Sequence, residues 1–136
     1  MIEAQFIETQ ELIETSDPMP NEPQWLFDVS LPEGERERFT NDIAAALKTV
    51  FDPEIPCDIY ELGLIYKVDI GDDRLAKIDM TLTAPGCPVA SELIRSVETA
   101  VAAVPGILSV NVTMVFDPPW DQGRMSDEAR ISLDLF

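Results

Sequence analysis

The chain has 136 residues, 46% of them apolar and 26% charged, the size and make-up of one globular domain with appendages. Its 26 acidic and 9 basic side chains leave a net charge of −17, which repels phosphate backbones and anionic lipid, and no apolar run approaches the roughly 18 residues of a membrane span, so neither a nucleic-acid nor a membrane partner is expected. There is no histidine and there are two cysteines, Cys57 and Cys87, which excludes Ser-His-Asp and Cys-His nucleophile pairs, His-bearing zinc sites and any four-cysteine centre completed within one chain.

Residues 1–10 carry two glutamates and no Lys or Arg, unlike a secretory signal or a basic transit peptide. A cytoplasmic location follows as the expectation, with both cysteines as free thiols. Residues 1–39 hold ten acidic and two basic side chains and prolines at 18, 20, 23 and 32. This composition predicts an acidic, mostly extended arm, with Phe6, Trp25 and Phe27 among the anchors that could dock it on its own domain or on another chain. The domain proper is expected at 40–136. Thr40 is a fair N-cap, Asp42 suits the first turn, and Ile43, Leu47, Val50 and Phe51 fall on one helical face. Asp52-Pro53 ends that helix.

A stiff loop, Asp52-Pro53-Glu54-Ile55-Pro56-Cys57-Asp58, leads into Tyr60–Ile70, where apolar residues alternate as in a strand. Gly71-Asp72-Asp73-Arg74 reads as a hairpin turn, and Ala76, Ile78, Met80 and Leu82 mark its antiparallel partner. Thr83–Pro88 connects to a second helix, with Pro88 at its first position and Cys87 at the N-cap; Leu93, Val97, Val101 and Val104 line one face, and Pro105-Gly106 stops it. Leu108–Phe116 alternates again as a strand. Asp117-Pro118-Pro119-Trp120-Asp121 is a rigid exit loop, and Ser126 caps a short last helix. The order helix-strand-strand-helix-strand predicts an α+β fold: a two-layer sandwich with a small mixed three-stranded sheet and its helices on one face. The crossover makes the second and third strands parallel, and the first strand is expected to lie between them.

Cys87 is the position richest in chemistry. A thiol at a helix N-terminus meets the positive end of the dipole and unsatisfied N–H groups, which favour the thiolate, the form that binds metal or attacks. The alternative is a buried, inert N-cap cysteine. Asp52 and Glu54 follow the C-terminal end of the first helix, where the dipole disfavours carboxylates. They are either turn formers or a pair of oxygen ligands near Cys87. Thr83, four residues before Cys87, pairs along the sheet or supports the thiolate with its hydroxyl. Cys57 is a second ligand, a resolving thiol or a packed residue. The hairpin places the acidic loop, before its first strand, beside the cysteine segment, after its second.

The stretches Asp52-Pro53-Glu54-Ile55-Pro56, Ile59–Tyr66, Thr81–Pro88 and Asp117-Pro118-Pro119-Trp120 together resemble the metal-sulfur cluster assembly family, over about Thr40 to Arg130, with the SufT branch nearest and a PaaD-like branch beside it. The resemblance implies a non-catalytic factor in iron–sulfur cluster assembly or maturation. Its D-P-E acids are Asp52 and Glu54, and its motif Thr and Cys are Thr83 and Cys87. Cys87, with Thr83 beside it, would hold iron or an iron–sulfur cluster transiently, and Asp52 and Glu54 would add oxygen ligands. The implied partners are the assembly machinery and client apoproteins, with a homodimer as one way to gather enough sulfurs. Cys57 departs from the family pattern, which has an apolar residue there. The other readings are an accessory interaction subunit of an oxygenase, of the PaaD-like kind, and a thiol-dependent enzyme or redox protein using Cys87.

Overall fold

A computed structural model describes residues 22–83 and 90–133. Its elements, in chain order, are β1 (Gln24–Phe27), α1 (Glu33–Leu47), β2 (Ile65–Ile70), β3 (Leu75–Met80), α2 (Ala90–Ala102), β4 (Ser109–Met114), a 3-10 turn (Gln122–Arg124) and α3 (Asp127–Leu133). The fold is α+β, a mixed sheet with its helices on one face, as expected. The alternation along the strands explains why. Trp25, Phe27, Val68, Ile70, Ala76, Ile78, Val110 and Val112 fall on one face by register and side-chain parity, and there they meet the helices. Gln24, Lys67, Asp69, Lys77, Asp79 and Asn111 take the other face, where Lys67 and Asp79 stand opposite each other with Nζ and Oδ2 3.6 Å apart.

Three findings change the expected outline. The sheet has a fourth strand: β1 pairs in parallel with β2. The order is β1-β2-β3-β4, so β3 pairs directly with β4 in parallel, and the first hairpin strand does not lie between them. Crossover chirality requires parallel strands but leaves open which are neighbours. Helix α1 begins at Glu33, seven residues before Thr40. Thr40 is therefore inside the helix, and its hydroxyl donates to the Arg36 carbonyl one turn back rather than capping an end. Glu33 and Glu35 occupy the first turn, where the dipole favours them, and Phe39, Ile43 and Leu47 supply the buried i, i+4, i+8 stripe. The helix stops at Leu47. Val50 remains in the core, but Phe51 is 61% exposed.

Arg side chains join the layers at the opposite end from the loops considered below. Arg74 adopts a left-handed conformation (φ 63°) in the hairpin turn and reaches Glu35 of α1 at 2.9 Å. Arg38 donates to the Pro105 carbonyl just past α2. Among the described residues no helix is long and apolar enough to cross a membrane.

Candidate functional site

Strand directions decide where the loops meet. β1 and β2 start, and β3 and β4 finish, at one end of the sheet. Helix α1 runs toward that end, so the acidic loop, residues 81–83 just past β3 and the exit loop all gather there.

The acidic loop is closed by the bridge between Phe51 and Asp58, by Asp52 N donating to the Cys57 carbonyl at 3.1 Å, and by Ile59 N donating to the Val50 carbonyl at 2.9 Å. Within it the two acids do different things. Asp52 is buried, and its Oδ2 accepts the N–H groups of Glu54 and Ile55, both at 2.8 Å. Those two donors brace the turn, which α1, ending at Leu47, stops five residues short of. Glu54 is exposed. Thr83 is half-buried just past β3, whose continuation is held by Thr81 N donating to the Leu64 carbonyl at 2.8 Å. Cys87, the Pro88 start and the N-cap reading lie outside the described residues.

What the structure brings together is the acidic loop and the N-terminal half of α2. Phe51 and Pro53 share a cavity of about 230 Å³ with Glu92, Leu93 and Ser96. A larger groove of about 530 Å³ adjoins it, with Thr49 and Phe51 on one wall and Arg95, Ser96 and Thr99 on the other. In sequence, α2 is the helix that follows Thr83 and Cys87.

Cys57 behaves as a packed residue. It is buried, and that burial, with the carboxylates of Asp58, Glu61 and Asp52 nearby, pushes its thiol up to about 11. Burial also pushes the Tyr60 phenol up to about 12, with Glu22 and Glu61 adding to it. Both groups are held in their protonated forms in the folded protein. The stability this confers is complete below their unfolded pKa values, about 8.5 and 10, and is lost as pH rises through the folded ones. The unfolding free energy of the wild type, read from urea titrations, is therefore expected to fall relative to that of Cys57→Ala as pH rises from about 8.5 to 11. Parallel midpoint-against-pH curves for the two proteins would remove the assignment. Among the described residues, no group of three or more Cys, Asp and Glu side chains is arranged to hold a metal ion.

The exit loop forms the lid of this end. The Trp120 indole donates to the Leu62 carbonyl at 2.7 Å, the Tyr66 hydroxyl donates to the Pro118 carbonyl at 2.8 Å, and the Arg124 guanidinium lies 4.3 Å from the centre of the Tyr66 ring. Ser126 caps α3, as its sequence position predicts, by accepting from Ala129 N at 3.0 Å. Sequence reasoning did not single out Tyr66, Arg124 or Gly63, which seats the Arg124 carbonyl; only Gly63, between two leucines, carried any signal of a special backbone.

A sequence model described as iron–sulfur cluster assembly protein matches residues 40–114. An "Fe-S protein maturation auxiliary factor" of Porphyromonas gingivalis is 47% identical over 92 residues, 68% of this chain and 88% of the relative. The "Fe-S protein maturation auxiliary factor SufT" of Staphylococcus aureus is 44% identical over 86 residues, 63% of this chain and 98% of the relative. The crystal structure of a "Domain of Unknown Function DUF59" from Bacillus anthracis superposes with a TM-score of 0.68 at 39% identity, covering 74% of this chain and 95% of that one.

Proposed function

The chain belongs to the iron–sulfur cluster assembly protein family, and from that membership we propose that it is a non-catalytic maturation factor whose Cys87 thiolate takes up iron or an iron–sulfur cluster transiently and passes it to client apoproteins. An auxiliary part in iron–sulfur protein maturation is common to the named relatives. The observation that supports the finer reading is the seating of the Asp52–Glu54 loop against the N-terminal half of α2, the helix that follows Thr83 and Cys87 in sequence. Glu54, exposed, is the freer oxygen donor of the pair; Asp52 gives one oxygen to the loop's own backbone. Mixed sulfur and oxygen ligation is labile compared with all-thiolate ligation, which suits transfer rather than storage.

The cargo cannot be held by this chain's sulfurs alone. Cys57 is buried and its thiol is held neutral, so one thiolate per chain is the supply, against the four ligands a cluster ordinarily takes. The remaining ligands would come from a partner of the assembly machinery, from an apoprotein or from small thiols. We place the protein in the cytoplasm and in a SUF-type system, as a SufT-like member.

Anaerobic reconstitution with iron and sulfide tests the reading. The wild type and Cys57→Ser are expected to gain visible absorption and bound iron, and Cys87→Ser to lose most of both. Equal iron and equal spectra in wild type and Cys87→Ser would reject a ligand role for Cys87. Full maturation of client enzymes by Cys87→Ser would then favour an adaptor that works by contact alone.

A further inference from the structure

From the seam between α1 and α2 we infer that residues 1–21 of this same chain dock back into it, with apolar side chains of the arm against Phe51 and an arm carboxylate on Arg95. The inference goes beyond the maturation reading and does not depend on it. The seam is one continuous groove. Its lower part, about 440 Å³, runs between Asp42 and Ala46 on α1 and Ala100 and Val104 at the end of α2. It shares Thr49 and Ala100 with the groove of about 530 Å³, which in turn shares Phe51, Glu92 and Ser96 with the cavity at the acidic loop. From Glu92 to Pro105 the helical rise makes the groove roughly 20 Å long. Phe51 stands on its wall, 61% exposed.

The arm leaves the fold beside the mouth of this groove. β1 starts at the loop-bearing end, and Glu22, two residues before it, lies close enough to Tyr60 for its carboxylate to act on the phenol. The Tyr60 ring faces Lys48 Nζ at 5.4 Å, and Lys48 is followed by Thr49 on the groove wall. At about 3.3 Å per residue, residues 1–21 reach up to ~70 Å, several times the groove's length.

Two cavities flank that exit, and charge chooses between them. The first, about 260 Å³, is lined by Asp58, Glu61 and Glu128, with Lys48 already on Glu61 at 3.5 Å. The groove between the helices carries Glu92 and Arg95, so it is neutral in a chain of net charge −17. Among the described residues Arg95 forms no ion pair. Residues 1–21 hold five acids, no Lys or Arg, and the apolar side chains Ile2, Phe6, Ile7, Leu12 and Ile13. Like charge keeps such a segment out of the first cavity, while Arg95 and Phe51 give it an ion pair and an apolar contact in the second. Tethering favours the chain's own arm over any free partner. A short flexible linker holds the segment at an effective concentration on the order of millimolar, so an intrinsic dissociation constant of about 1 mM already fills the groove half of the time.

Paramagnetic broadening in the full chain is the test. A nitroxide on Gln10→Cys, in a Cys87→Ser background with buried Cys57 left in place, is expected to broaden the amide signals of Thr49, Phe51, Ser96 and Thr99 most. Those of Lys77 and Asp79, on the open sheet face, should change least. Arg95→Glu, at an exposed position, should cut the broadening by roughly half or more with little change in the thermal melt, and Phe6→Ser should do the same. Lys77→Glu, the same charge change on the open sheet face, should leave it unaltered. Broadening centred on Glu128 and Ser132, broadening spread evenly over the surface, or broadening at the groove that is insensitive to either Arg95→Glu or Phe6→Ser would overturn the proposal. In an equal mixture of isotope-enriched chain without the nitroxide and nitroxide-bearing chain without the isotope, no broadening is expected. Broadening of the groove signals there would put the arm on a second copy and overturn the proposal as well.

Discussion

Gly63→Ala is expected to lower the unfolding free energy by about 3 kcal/mol or more, among the largest effects of any single methyl group added to this protein. Two costs coincide there. The backbone sits at φ +78°, a region that costs an L-residue roughly 1–2 kcal/mol. A Cβ at this position would also stand 2.4 Å from the Arg124 carbonyl oxygen and 3.0 Å from its carbon. That neighbour is backbone, so no rotamer change relieves the contact. The segment must shift, and with it Trp120 over Leu62, Arg124 over Tyr66 and Ser126 N on the Glu61 carbonyl at 2.9 Å. Trp120→Phe provides the comparison, because it removes one hydrogen bond while keeping most of the ring, at about 1 kcal/mol. Urea unfolding followed by tryptophan fluorescence separates the two. A Gly63→Ala cost no larger than that of Trp120→Phe would show that the exit loop yields freely and is no fixed lid.

The parts of the fold that could be read from the sequence are those whose apolar residues repeat with a local period. Leu93, Val97 and Val101 repeat every four residues, and the hairpin strands and β4 alternate, so their types and faces follow from side-chain geometry. β1 has only four residues in a stretch of acids and prolines. It is a strand because Trp25 and Phe27 pack beside Val68 and Ile70, a contact more than forty residues away. The first two turns of α1, Glu-Gly-Glu-Arg-Glu-Arg, have no apolar stripe; they are held by Arg36 donating to the Leu31 carbonyl and by Glu35 on Arg74. Propensity and patterning register neither of these side-chain contacts, one spanning five residues and the other 39. The strand order eluded the sequence for a similar reason, since handedness rules constrain the crossover but not its neighbour.

At the candidate site the same division holds. That the acidic loop approaches the start of α2 follows from the hairpin, because its strand ends lie side by side. Asp52 as a turn former follows from Asp-Pro chemistry. The separation of Asp52 from Glu54, one buried and one exposed two residues later, depends on how the loop closes through Asp58 and Cys57, which no spacing reveals.

That separation leads to the second large effect. Asp52→Ala is expected to cost about 2–3 kcal/mol, because it strips a carboxylate from two part-buried N–H donors of the loop and leaves both without their acceptor. Asp52→Asn keeps one acceptor oxygen and should cost about 1 kcal/mol. Glu54→Ala, at an exposed position, should stay within about 0.5 kcal/mol of wild type. The contrast makes a functional measurement interpretable. If Glu54 donates an oxygen to the cargo, Glu54→Ala will take up less iron on reconstitution, or release it faster to a chelator, at unchanged stability. Asp52→Ala will also lose iron, but in step with its unfolding, and low temperature or a stabilising osmolyte will restore it in part. Wild-type iron uptake and release in Glu54→Ala would reduce both acids to scaffolding, and the thiolate would then need every other ligand from outside the chain.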